Sequence, residues 1–119
     1  MIDHVTIPVS NLELSRAFYE KTFAPLGWKV AFGEANVFWA FDIGQGLFEF
    51  EQHEGAITPV HIAFRVQSRE LVDAFHAAGM EAGAKDNGPP GPRTLYTPRY
   101  YAAFLLDPDG HNIEAMHDE

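Results

Sequence analysis

This 119-residue sequence predicts an α+β fold built from two βαβββ modules. Three observations lead there. The opening segment His4-Val5-Thr6-Ile7-Pro8-Val9 restarts 57 residues later as His61-Ile62-Ala63-Phe64-Arg65-Val66. At that offset His4/His61, Val9/Val66, Glu13/Glu70, Leu14/Leu71, Ala17/Ala74 and Phe18/Phe75 are identical pairs. In each half, one stretch of helical periodicity follows an alternating apolar segment. A module with four strands and one helix covers only one sheet face, so its other face needs a second module.

The elements follow in order. Residues 2–9 alternate as a strand, with Val5, Ile7 and Val9 on one side and His4, Thr6 and Pro8 on the other. Ser10-Asn11-Leu12-Glu13 is a capping-box pattern that opens a helix with the stripe Leu14, Ala17 and Phe18. Pro25 and Gly27 end it. Strands are expected at about 28–33, 36–41 and 46–52, separated by Gly33 and by Gly44-Gln45-Gly46. The second half opens with a strand at 60–66. Ser68 then caps a helix whose stripe is Leu71, Ala74, Phe75 and Ala78, stopped by Gly79 or Gly83. Asn87 to Pro98 reads as a Gly/Pro-rich loop carrying Arg93 and Tyr96. Strands at about 99–106 and 111–117 flank the turn Asp107-Pro108-Asp109-Gly110. The chain is thus one domain, 1–119, made of repeats at about 1–56 and 57–119, and the only internal boundary lies near Gly55–Pro59.

Composition narrows the function. With 46% hydrophobic residues the chain can bury a core. The absence of cysteine excludes disulfides, thiolate metal sites and a cysteine nucleophile. A formal net charge of −9 argues against nucleic acid as a partner, since binding it needs clustered Lys and Arg. No apolar run approaches membrane-spanning length and no signal-peptide pattern opens the chain, so no membrane partner and a cytoplasmic location are expected.

Alternation also assigns polar residues to faces. His4 and His61 lie opposite the helix-packed side of their strands, toward a cleft between the two sheets. In Leu47-Phe48-Glu49-Phe50-Glu51 the phenylalanines take the helix side, and Glu49 and Glu51 share the other. In Asn112-Ile113-Glu114-Ala115-Met116, Glu114 faces the cleft. Two imidazoles and two carboxylates, His4, Glu49, His61 and Glu114, suit Ni, Co, Zn, Mn or Fe and leave positions open for water or substrate. Arg93 is placed to pair with a substrate carboxylate. Tyr96 and Tyr101 are expected to line the pocket; of the adjacent Tyr100 and Tyr101, only one can face it. His53 and His111 read as surface residues, and His76 and His117 have no evident partner.

Four segments resemble the vicinal oxygen chelate superfamily, which includes glyoxalase I, extradiol dioxygenases and the bleomycin- and fosfomycin-resistance proteins. They are Ile2-Asp3-His4-Val5, the helix start from Asn11-Leu12 through Ser15 to Phe18-Tyr19, His61-Ile62-Ala63-Phe64, and Asp107-Pro108-Asp109-Gly110-His111-Asn112-Ile113-Glu114. The resemblance implies paired modules forming a cupped, eight-stranded mixed sheet with helices outside. It also implies a homodimer, in some members with a metal site built from two subunits. The glyoxalase I ligand pattern falls on His4, Glu49, His61 and Glu114. Where that enzyme carries an Arg and an Asn for glutathione, this chain carries Pro8 and His53, which argues against glutathione. The implied function is a metal-dependent lyase or isomerase. A divalent ion would hold vicinal oxygens of a small-molecule substrate, and Glu114 or Glu49 would act as the base. The competing readings are a metal-free binding protein of the antibiotic-resistance type, and an Fe(II) extradiol dioxygenase using His4, His61 and Glu114.

Overall fold

The computed structural model describes all residues, Met1–Glu119. The first module consists of β1 (His4–Val9), α1 (Leu12–Phe23), β2 (Lys29–Glu34), β3 (Phe38–Asp42) and β4 (Leu47–Gln52). The second repeats it as β5 (His61–Arg65), α2 (Arg69–Glu81), β6 (Lys85–Pro92), β7 (Tyr100–Leu106) and β8 (Asn112–Asp118). The eight strands form two four-stranded mixed sheets, ordered β1-β4-β3-β2 and β5-β8-β7-β6. In each, the repeat-opening strand lies at an edge, parallel to the module's last strand. No helix is long and apolar enough to cross a membrane.

The repeated plan holds, with two corrections. The segment expected to be a loop from Asn87 supplies part of β6, whose pairing with β7 slips between Asp86 and Gly88 and again between Gly88 and Gly91. Glycine and proline there produce bulges at a sheet edge rather than ending the strand. The buried face of α1 is also rotated from the expected stripe. Leu12, Ser15, Phe18, Tyr19, Thr22 and Phe23 face inward, while Leu14 is 55% exposed and Ala17 is exposed. Ser15 and Thr22 read as polar in sequence, yet their hydroxyls are buried without a hydrogen-bond partner. At least for Thr22, small size explains the choice. Its methyl lies where α1 meets Gly79 of α2, at 3.5 Å from a Cβ built on that glycine, and such a Cβ would also collide with Leu105. Ser68 caps α2 as expected, accepting from the Leu71 amide, whereas α1 starts one residue later than the Ser10–Glu13 capping box implies, with Asn11 accepting from the Leu14 amide.

Both sheets turn their inner faces to one shared core. Tyr19 and Phe23 of α1 pack among Phe41, Phe48 and Phe50, and Phe64 of β5 meets Phe23, Trp28 and Phe48 across the module boundary. A buried polar joint ties the modules. The Tyr19 hydroxyl donates to Asp107 Oδ2 at 2.5 Å, and Asp107 Oδ1 accepts from the Asp109 and His111 amides, both at 2.9 Å. His111, expected at the surface, is fully buried. Its Nδ1 accepts from the Val60 amide at 3.0 Å, which leaves the proton on Nε2 to donate to the Pro8 carbonyl at 2.8 Å. The turn closes with Gly110 at φ 84°, a left-handed conformation suited to glycine.

Burial raises the Asp107 carboxyl above its usual value, against the opposing effect of its hydrogen bonds. Burial, and next the Asp107 charge, push the Tyr19 phenol well up. Tyr19→Phe strands a buried carboxylate oxygen and is expected to cost about 1–3 kcal/mol in urea unfolding. A carboxyl raised on folding contributes stability that is complete below its unfolded value and is lost as pH rises through the folded one. The stability difference between wild type and Asp107→Asn is therefore expected to shrink from pH 3.5 to pH 7, in paired urea titrations.

Candidate functional site

Register fixes what the outer face of each sheet displays. On the second sheet, β5–β8 pairing sets Ala63 beside Glu114, and β7–β8 pairing sets Phe104 on its other side. Glu114 is 2% exposed. Both its oxygens are engaged: Oε1 lies 2.8 Å from His61 Nε2, and Oε2 accepts from the Tyr100 hydroxyl at 2.5 Å. The Phe104 ring sits 6.1 Å from the His61 ring and 5.3 Å beneath the Arg93 guanidinium. Arg93 is itself anchored, donating from Nη2 to the Pro89 carbonyl at 2.7 Å. Tyr96 packs edge-on against Tyr100 at 4.9 Å.

The outer face of the first sheet is simpler. Thr6 pairs with Glu49 across β1–β4, and its hydroxyl lies 3.4 Å from Glu49 Oε1. His4 Nδ1 lies 2.8 Å from Asp3 Oδ1. That hydrogen bond, and secondly the Glu49 charge, hold the His4 imidazole above its usual pKa. A histidine that donates through Nδ1 to a carboxylate presents a free Nε2 lone pair, an arrangement frequent in metal ligands. Glu51 shares this face, is exposed, and pairs with Pro8 and Phe38.

The four residues expected to converge thus lie in two pairs, His4 with Glu49 and His61 with Glu114. No three metal-capable side chains come together within one chain. The shared core takes the inner faces of both sheets, so the two site-bearing faces are the outer ones. A cavity of about 570 Å³ borders β5 among Trp28, Ile43, Phe64 and Leu71, and none of the four lines it.

Of the pocket residues expected from sequence, Arg93 and Tyr96 stand on the Glu114 face, but Tyr101 does not. It pairs with His117 on the helix side, and its hydroxyl donates to Asp73 of α2 at 2.7 Å. Tyr100 takes the place beside Glu114. The signal was legible: a tight turn at 107–110 pairs Leu106 with Asn112, so Phe104 falls opposite Glu114 and every second residue back from it, including Tyr100, shares that face. His76 and His117 also find partners, Asp86 Oδ1 and the Val66 carbonyl, both at 2.9 Å.

The second pair is joined by a hydrogen bond whose length is also compatible with two ligands on one ion. Nitrogen and oxygen donors about 2.1 Å from a metal and at right angles lie about 3.0 Å apart, against the 2.8 Å between His61 Nε2 and Glu114 Oε1. A buried carboxylate with both oxygens held is also rigid enough to set a coordination geometry.

Comparison with known proteins gives the lineage. The family described as "Glyoxalase/Bleomycin resistance protein/Dioxygenase superfamily" matches residues 1–115. A metallothiol transferase FosB of Shouchella clausii is 32% identical over 118 residues, which cover 95% of this chain and 77% of that one. A second, from Bacillus licheniformis, is 30% identical, covering 95% and 72%. The crystal structure of a glyoxalase/bleomycin resistance protein from Albidiferax ferrireducens superposes with a TM-score of 0.86 at 32% identity, covering 100% of this chain and 99% of that one. Repeat, topology and sequence agree, and the chain belongs to the glyoxalase/bleomycin resistance protein/dioxygenase superfamily.

Proposed function

We propose that the protein is a metal-dependent enzyme acting on a small molecule. Its ion would be held by His4 and Glu49 from one copy of the chain and by His61 and Glu114 from a second copy. The observation that carries this reading is the His61–Glu114 pair, a buried carboxylate set at ligand spacing from an imidazole on an otherwise open sheet face. Two half-sites on outer faces of one chain call for a second copy, and a two-fold axis would complete two sites at once. Charge supports pairing the first sheet of one copy with the second sheet of the other. By strand register the first face carries Glu34, Asp42, Glu49 and Glu51 against Lys29. The second carries Arg65, Lys85 and Arg93 against Glu114 and Asp118. Two first-sheet faces brought together would set carboxylates against carboxylates, whereas a first sheet against a second sets them against Arg65, Lys85 and Arg93.

A bound divalent ion supplies Lewis-acid polarisation of two adjacent substrate oxygens. The chain's own residues divide the remaining work. Glu114, gripped at both oxygens, stays in place as a ligand. Glu49 is engaged only by the 3.4 Å approach of Thr6, so it is the carboxylate free to take a proton from a carbon next to a carbonyl. Arg93 offers guanidinium donors above Phe104 to a substrate carboxylate, and Tyr96 closes the same side. This favours lyase or isomerase-type proton transfer. The two metallothiol transferase relatives support a second reading, thiol transfer to the bound substrate.

His4→Ala and His61→Ala are each expected to abolish uptake of Mn, Ni, Co or Zn, measured by metal analysis after dialysis. Mixing the two variants after reversible unfolding should restore about a quarter of wild-type uptake, because half the dimers are mixed and each of those regains one of two sites. Absence of restoration would overturn the two-copy site. Reaction type separates by label: Glu49→Gln should suppress solvent deuterium exchange at a substrate carbon by about 100-fold or more if the chemistry is proton transfer. If it is thiol transfer, wild-type protein should consume added thiol with no solvent deuterium entering a substrate carbon.

A further inference from the structure

Tyr100 is absent from the ligand set, yet it makes the one contact on the Glu114 carboxylate that does not come from a proposed ligand. Its hydroxyl occupies Glu114 Oε2 at 2.5 Å, while Oε1 is turned to His61. A carboxylate bound through one oxygen takes one position on an ion, and bound through both it takes two. We propose that Tyr100 is a positioning residue that keeps Glu114 a one-oxygen ligand, so that two neighbouring positions on the ion stay open for a substrate's adjacent oxygens. This rests on the metal-site reading above and deepens it.

The surroundings hold the hydroxyl to this task. The Tyr100 amide donates to the Thr97 carbonyl at 3.3 Å, and its carbonyl accepts from the Arg93 amide at 2.7 Å, which seats the residue at the base of the 93–100 loop. Thr97 in turn donates to Asp118, the residue paired with Tyr100 across β7–β8. Tyr96 braces the ring from the side. Four protein ligands each taking one position would leave a six-coordinate ion about two positions for water or substrate. If Glu114 closed on the ion with both oxygens, about one would remain. A substrate holding the ion through two oxygens would then have to displace a ligand.

Manganese counts those positions without any reaction, because water on bound Mn(II) speeds the relaxation of solvent protons. Tyr100→Phe keeps the ring and removes the hydroxyl. Its bound Mn(II) should show relaxation enhancement reduced to about half that of wild type, and its Mn(II) affinity should change by about 10–100-fold. Tyr100→Met tests the same loss should the phenylalanine variant not fold, as judged by circular dichroism. Enhancement per bound ion equal to wild type in a folded variant overturns the positioning role, whether or not affinity changes. Wild-type protein that binds no Mn(II), Ni(II), Co(II) or Zn(II) overturns the metal-site reading instead, and this inference with it.

Discussion

The buried Asp107 carboxylate is the constraint on which the rest of the molecule turns. It closes the β7–β8 turn through the amides of Asp109 and His111, and reaches the other module through the Tyr19 hydroxyl. That turn sets the phase of β8. A strand entered one residue later would place Glu114 on the helix side, among Phe64 and Leu105, and present Ile113 and Ala115 to the open face. His111, four residues after Asp107, adds a second lock by bonding the Val60 amide ahead of β5 and the Pro8 carbonyl of β1. The same polar joint therefore aligns the two strands that carry His61 and Glu114 and fastens them to the strand that carries His4.

Fastening the modules in this way has a consequence for the site. Inner faces and helices are consumed by one core, in which Phe64 of the second module packs with Phe23 and Phe48 of the first. A chain that uses those faces for stability can display its polar pairs only outward, one on each sheet. Two copies turned face to face would bury what one copy exposes.

Much of this was legible in the residues themselves. The 57-residue repeat and simple alternation placed His4, Glu49, His61 and Glu114 on the faces they occupy, because a strand with one buried side has a period of two that a single phenylalanine pair such as Phe48 and Phe50 suffices to set. The failures have physical causes too. Alternation assigns a face only when the strand's phase is known, and Tyr100 and Tyr101 are equally aromatic, so only the hairpin register separates them. The α1 stripe misled because close helix packing at Gly79 favours small side chains over strongly apolar ones. His111 looked like a surface residue because burial of an imidazole depends on two backbone partners, Val60 and Pro8, that lie far away in sequence.

Nothing in sequence spacing could have revealed that the four candidate ligands divide between two outward faces. Their faces follow from local periodicity, but their separation follows from how the modules are fastened, which is a property of the Asp107–Tyr19 and His111–Pro8 contacts. The repeat itself explains why such a division is tolerable. Each module carries one imidazole on its first strand and one carboxylate on its last, so any arrangement that brings two unlike modules face to face assembles the same four donors. Whether the modules come from one chain or two then matters for stability and symmetry and not for the donor set. The charges sharpen the choice of partner. An acidic outer face on the first sheet and arginines on the second would attract one another if two copies met with unlike faces, and the proposed two-copy site rests on that match.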